Sequence, residues 1–115
     1  MEEKNTLYIL WANADPLTAR LMVMMYAKNS LLRGWWEKVT LIVWGATAKL
    51  MAEDAAIQEE LKVLQHVGVH VTACIACARE LGVVEQLEAL GIEVVSWGPL
   101  LTDVLIPQEI ARRVA

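Results

Sequence analysis

Two cysteines are the residues of this chain best suited to chemistry. Cys74 and Cys77 are its only cysteines and are separated by Ile-Ala. The residues before them alternate between apolar and polar, as in a strand, and residues 75–82 favour a short helix. Cys74 is therefore predicted at a strand-to-helix turn, where unpaired N–H groups and the positive end of the helix dipole stabilise a thiolate. Cys77 follows about one helical turn later, so both sulfurs can face the same way.

This cysteine pair allows four interpretations. A persulfide carrier needs one activated, accessible thiol. A thiol–disulfide oxidoreductase would use Cys74 as the attacking thiolate and Cys77 as the resolving thiol, although no Trp-Cys-Gly-Pro-like sequence surrounds them. A zinc site would recruit His66 and His70, but strand rise puts His70 about 13 Å from Cys74, so we expect no metal. Two buried structural thiols are the fourth interpretation. No pattern predicts a bound cofactor.

Length and composition set the bounds of the molecule. The 115 residues predict a single domain over residues 1–115. The hydrophobic fraction of 57% is high, yet no apolar run approaches the roughly 18 residues that span a bilayer. The additional apolar side chains are expected to be buried in a sheet covered on both faces or in a subunit interface. A net charge of −4 without a basic cluster argues against nucleic acid. The acidic residues 1–5 do not resemble a secretory signal, so we expect a cytoplasmic protein.

Four apolar runs alternate with helical patterns along the chain. The predicted strands are Thr6–Trp11, Val39–Trp44, Val69–Cys74 and Ile92–Trp97. Helices are predicted over residues 16–32, 47–67, 75–81, 84–90 and 100–105. This alternation predicts an α/β domain with a mainly parallel sheet and right-handed crossovers. Residues 107–110 resemble a helix start, whereas residues 111–115 can pair as a short edge strand.

The first predicted helix is apolar nearly all round. Asp15 is its expected N-cap, with Pro16 at the first helical position. Four side chains are expected to face the sheet and four the other side, namely Leu17, Leu21, Met24 and Leu31 against Met22, Val23, Met25 and Tyr26. Such a helix is covered on more than one side, so we expect an oligomer interface here. Asp54, in the next helix, is expected on that helix's surface.

The carboxyl ends of parallel strands are where such sheets bind ligands. The predicted ends are Trp11, Trp44, Cys74 and Trp97. They favour an apolar rim around Cys74 that suits a soft sulfur species, unless the tryptophans merely close the core. Asn13, in the loop after the first strand, is expected to border the same pocket.

Residues 74–83, Cys-Ile-Ala-Cys-Ala-Arg-Glu-Leu-Gly-Val, resemble the cysteine motif of the DsrE/DsrF-like sulfur-relay family. The loop after the first strand and the Gly-Pro-Leu-Leu-Thr-Asp segment after the fourth agree with it. The resemblance implies a three-layer flavodoxin-like domain of four to five strands that forms homo-oligomers, commonly trimers or hexamers. It also implies a strand order that favours Trp44 and Trp97 over Trp11 as neighbours of Cys74.

By the same resemblance, Cys74 accepts sulfane sulfur as a persulfide and passes it on, with sulfur donor and acceptor proteins as partners. The chain is thus interpreted as a sulfur carrier or sulfurtransferase-like protein, with Cys74 and Cys77 as its reactive residues. The main alternative is a non-enzymatic oligomeric protein whose tryptophan-rimmed pocket holds a small ligand.

Overall fold

A five-stranded parallel sheet lies at the centre of the structure. The computed structural model describes residues 5–105 and the backbone of residues 113–114. The strands are β1 (Thr6–Trp11), β2 (Lys38–Val43), β3 (His70–Cys74), β4 (Glu93–Val95) and β5 (Arg113–Val114), in the order β4-β3-β2-β1-β5. The predicted parallel α/β class is confirmed, and β5 pairs with the edge of β1 as a strand. The possible helix start at residues 107–110 and the acidic residues 1–4 lie outside the described residues.

Helices connect the strands in sequence. The helical segments are α1 (Pro16–Thr18), a π-helical stretch (Ala19–Met24), α2 (Met25–Leu32), α3 (Thr47–Glu53), α4 (Ala55–Val67), α5 (Ile75–Leu81), α6 (Val84–Ala89) and α7 (Trp97–Leu105). We call the continuous stretch of residues 16–32 the first helix. Within the part of the chain that is described, no helix is both long and apolar enough to cross a membrane.

The first helix begins as the sequence predicts, but its faces differ from the prediction. The Asp15 carboxylate accepts hydrogen bonds from the Thr18 hydroxyl and backbone N–H, and these two bonds lower the pKa of Asp15. Leu17 and Leu21, expected against the sheet, are exposed, whereas Val23 is buried. The π-helical turns cause the change, because each holds more residues than an α turn and so rotates the apolar stripe out of its 3.6-residue phase.

The predicted long helix over residues 47–67 is two helices. Asp54 has extended backbone angles, and its carboxylate caps α4 by accepting the Ile57 N–H at 3.0 Å. The Gln58 amide donates to the carbonyls of Met51 and Ala52, which satisfies the end of α3. Asp54 is therefore an N-cap and not a helix-surface residue, a role for which aspartate is well suited.

The two faces of the sheet are covered unequally. Leu7, Ile9 and Trp11 point to one face, where they pack against the first helix and α3–α6. Tyr8 and Leu10 point to the other, which we call the α7 face because α7 packs on it. Helices on both faces confirm the three-layer flavodoxin-like architecture. The right-handed crossover rule explains the asymmetry: β1 to β4 advance in one direction across the sheet, so their connections share one face.

Candidate functional site

Cys74 lies at the junction of β3 and α5. It is the last residue of the strand and the N-cap of the helix, with extended backbone angles of φ −77° and ψ 122°. Gly82 ends α5 in the left-handed conformation at φ 70°. The predicted strand-to-helix turn is thus confirmed. The Cys74 side chain is only 5% exposed, on the α7 face of the sheet.

Cys77 is the more accessible of the two thiols. It is half-buried and lines a depression of about 450 Å³. The other lining residues are Gly45, Ala46, Ala76, Glu80 and Leu81, from the β2–α3 connection and from α5. All the lining side chains except Glu80 are uncharged and small or apolar. The depression therefore favours a small molecule with little charge.

The two thiols influence each other. Neither forms a disulfide. Burial is the main cause that raises the pKa of Cys77 above its ordinary value of 9.0, and a backbone hydrogen bond from Gly45 acts in the opposite direction. Hydrogen bonding to the Cys74 side chain and the charge of a Cys74 thiolate raise the pKa of Cys77 further. The Cys77 sulfur is consequently a neutral thiol beside Cys74 at neutral pH.

Two tryptophans share the apolar cluster of Cys74, as the strand order predicts. Trp44 directly follows β2, Trp97 begins α7, and both pack on the α7 face. Trp11 does not line this site, because it belongs to the core on the opposite face of the sheet. Trp97 is not a strand end, since β4 stops at Val95 and α7 begins at Trp97. The Gly98-Pro99 pair lies in the first turn of α7, where proline needs no N–H partner.

A chain of hydrogen bonds holds Trp97 against the sheet. Its indole Nε1–H donates to the Thr72 hydroxyl at 2.9 Å, and that hydroxyl donates to the Glu93 carbonyl at 2.7 Å. Both side chains are buried. Because Thr72 is two residues before Cys74 on the same face of β3, this chain fixes the tryptophan next to the thiol.

Asn13 does not border the depression. Its side-chain oxygen accepts the Asp15 N–H at 2.9 Å, and its carbonyl accepts the Trp11 indole N–H at 2.9 Å. Asn13 follows β1, which β2 separates from β3. Its role in the structure is to shape the turn that leads into the first helix.

The sequence indicated little about the β2–α3 connection, which forms one wall of the depression. Gly45 adopts φ 66°, a conformation that favours glycine. Thr47, the first residue of α3, is buried; its hydroxyl accepts the Trp44 N–H and lies 2.8 Å from the carbonyls of both Trp11 and Trp44. It thus ties the ends of β1 and β2 together. A glycine directly after a strand was the one available signal.

Comparison with known proteins identifies the family of this chain. No family model matches the sequence, and no curated protein matches it. A solved structure matches along the whole length: BT1422 from Bacteroides thetaiotaomicron, described as a conserved protein of unknown function. The identity is 35%, the TM-score is 0.94, and the match covers 100% of this chain and 98% of the other. The chain belongs to the BT1422 family.

In this member of the BT1422 family, the opposite end of the sheet also has a depression. It measures about 410 Å³ and is lined in part by Tyr8, Lys38, Thr40 and His70, near the amino ends of β1–β3. His70 pairs there with Glu93 at 2.9 Å. Within residues 5–105, no three His, Cys, Asp or Glu side chains are placed to hold a metal ion. Parallel sheets bind ligands at their carboxyl ends, which favours the cysteine end as the functional site.

Proposed function

We propose that this protein is a cytoplasmic sulfur-relay protein in which Cys74 accepts sulfane sulfur as a persulfide and passes it on. The observation that carries the proposal is the pair of neighbouring free thiols at the β3–α5 turn, one of them facing a depression with little charge. The resemblance of residues 74–83 to the DsrE/DsrF-like cysteine motif supports the same chemistry.

The surroundings of Cys74 suit a stored sulfur atom. A persulfide is soft and polarisable, and sulfur makes favourable contacts with aromatic rings. Trp44, Trp97 and Ile42 form an apolar cluster with Cys74, which keeps water and polar oxidants away from the sulfur. A carrier needs little more than such a thiol, because donor and acceptor proteins supply the rest of the chemistry.

The proposal is tested by mass spectrometry of the protein purified without reductant. We expect a fraction of molecules to carry the mass of one added sulfur atom, which dithiothreitol removes and which peptide fragmentation assigns to Cys74. In Cys74→Ser, added sulfur should not survive transfer into reductant-free buffer after loading, because no thiol in the apolar cluster is left to hold it. Absence of added sulfur from the wild type, both as purified and after incubation with glutathione persulfide, would contradict the proposal.

A thiol–disulfide redox function is the second candidate, and the contact between the two cysteines favours it. Oxidation would then join Cys74 and Cys77 and remove the mass of two hydrogen atoms instead of adding sulfur. The same mass spectra distinguish the two functions. A third candidate is a non-enzymatic binding protein that holds a small ligand in the depression of about 450 Å³. In that case the mass spectra would show neither added sulfur nor a disulfide.

We also propose that the protein self-associates through the first helix, as a trimer or hexamer. Large apolar side chains are exposed along this helix and on the loop after it: Leu17, Leu21, Met22, Met25, Tyr26, Leu32 and Trp35. Scattered exposed apolar residues are ordinary, but a contiguous set on one element is typical of an interface. The ring of Tyr26 lies 5.9 Å from that of Trp35, which extends the apolar surface beyond the helix.

A further inference from the structure

The accessibility of the two thiols is opposite to the order expected from the sequence. Cys74, expected as the attacking thiol, is almost fully buried on the α7 face. Cys77, expected as the second thiol, lines the open depression. A molecule that enters between Gly45 and Leu81 therefore reaches the sulfur of Cys77 before that of Cys74.

The two cysteines are neighbours in one apolar cluster. Cys77 follows Cys74 by about one turn of α5, and its side chain packs against the cluster of Ile42, Cys74 and Trp97. A sulfur atom bound to Cys77 is thus held beside a second nucleophile. Such proximity replaces a bimolecular encounter by an intramolecular step.

We propose that Cys77 receives sulfane sulfur from a low-molecular-weight persulfide in the depression, and that Cys74 takes this sulfur over and holds it in the apolar cluster. This assignment rests on the proposed relay function and adds a division of labour to it. Cys77 is the receiving residue because the donor can reach it. Cys74 is the storage residue because Trp97 and Ile42 cover it.

The transfer consists of two displacements at sulfur. In the first, the neutral Cys77 thiol loses its proton as its sulfur attacks the outer sulfur of the donor R–S–SH; the donor S–S bond breaks, and R–S⁻ leaves with the electron pair and takes up that proton. In the second, the Cys74 thiolate attacks the outer sulfur of the Cys77 persulfide. Cys77 leaves as a thiolate and takes the proton from Cys74. The sum converts R–S–SH and the Cys74 thiol into R–SH and the Cys74 persulfide, without any further oxidant.

The test is single-turnover loading with glutathione persulfide, stopped by alkylation and followed by peptide fragmentation. In wild type, sulfur should be found on Cys74. In Cys74→Ser it should be trapped on Cys77. Cys77→Ser should load Cys74 at least about tenfold more slowly, because the intramolecular step is lost. Arg79→Lys, on the exposed surface of α5 and outside the lining of the depression, keeps both thiols and should load at the wild-type rate.

The outcomes separate this inference from the relay function. Loading of Cys74 at the wild-type rate in Cys77→Ser overturns the division of labour and leaves the relay function standing. No uptake of sulfur by the wild type overturns the relay function itself. A limiting dose of iodoacetamide on the wild type provides a test without mutation: first labelling of Cys77 supports the inference, and first labelling of Cys74 overturns it.

Discussion

The hydrogen bond from Trp97 to Thr72 allows a quantitative test of how α7 is held over the cysteine site. The indole N–H donates to the Thr72 hydroxyl at 2.9 Å, and the hydroxyl donates to the Glu93 carbonyl at 2.7 Å. Thr72→Val replaces the hydroxyl with a methyl group of similar size. The substitution therefore removes both hydrogen bonds while leaving the packing almost unchanged.

The expected magnitude follows from which groups are left without partners. In Thr72→Val the buried indole N–H loses its partner, so we expect the free energy of unfolding to fall by about 2–3 kcal/mol. Trp97→Phe removes the donor instead and leaves the Thr72 hydroxyl bonded to Glu93, with an expected loss of about 1–3 kcal/mol including the smaller ring. The double variant should be less destabilised than the sum of the two by about 1 kcal/mol, since no unpaired N–H remains.

Urea unfolding followed by far-UV circular dichroism measures all four corners of this double-mutant cycle. Thr40→Val is the matched control: Thr40 is a buried threonine on the same sheet face, and its hydroxyl bonds to no other described side chain or backbone group. Its substitution should change the free energy of unfolding by less than about 0.5 kcal/mol. The reasoning would be refuted if the losses in free energy of unfolding for Thr72→Val and Trp97→Phe were additive in the double variant. It would also be refuted if Thr72→Val lowered the free energy of unfolding no more than Thr40→Val.

Three further predictions concern the rest of the fold. Met25→Glu should dissociate the oligomer, as measured by light scattering, because burying a charge at the first-helix interface is costly. Leu100→Glu on α7 is the control, since Leu100 is equally exposed at 43%, and it should leave the oligomer intact. A monomeric wild type would contradict the proposed interface. Ser30→Ala should raise the free energy of unfolding by up to about 1 kcal/mol, since its buried hydroxyl has no hydrogen-bond partner among the described residues; a clear loss of stability contradicts this. Hydrogen bonds from Thr18 lower the pKa of Asp15. The Asp15 carboxylate therefore stabilises the fold at pH values above its ordinary pKa of 3.8, and this stabilisation is lost as the pH falls through the lowered pKa. Asp15→Ala should consequently reduce the Tm more at about pH 7 than at about pH 2.

The turn at Cys74 was predictable because several local signals agree there. Strand alternation ends at Cys74, the following residues favour a helix, and Gly82 ends that helix in the left-handed conformation. The N-cap at Asp15 was predictable for the same reason, because aspartate directly before proline is a strong start signal. Each of these features depends on residues that are neighbours in the sequence.

The unpredicted features depend on helical register and on tertiary contacts. The π-helical turns of the first helix expose Leu21 and bury Val23, and the apolar pattern around them suits either phase. Trp97 ends a segment rich in strand-forming residues and so resembled a strand residue, yet it begins α7, and its bond to Thr72 is a tertiary contact. The accessibility of Cys77 could not be predicted from the sequence either. The depression that Cys77 lines is also lined by Gly45, which is 32 positions away along the chain.

The topology explains why one sheet face presents the cysteine site. Strands β1 to β4 advance in one direction, so their right-handed connections fill one face with helices. The return from β4 to β5, beyond β1, runs in the opposite direction, and the same handedness requires its helix to lie on the other face. That helix is α7, and its first residue, Trp97, is placed over β3 next to Cys74. Among the described helices, α7 packs on the sheet face of Cys74, while Cys77, one turn further along α5, faces the depression beside the β2–α3 connection. The same crossover rule that fixes the fold therefore gives the two thiols their different access to solvent.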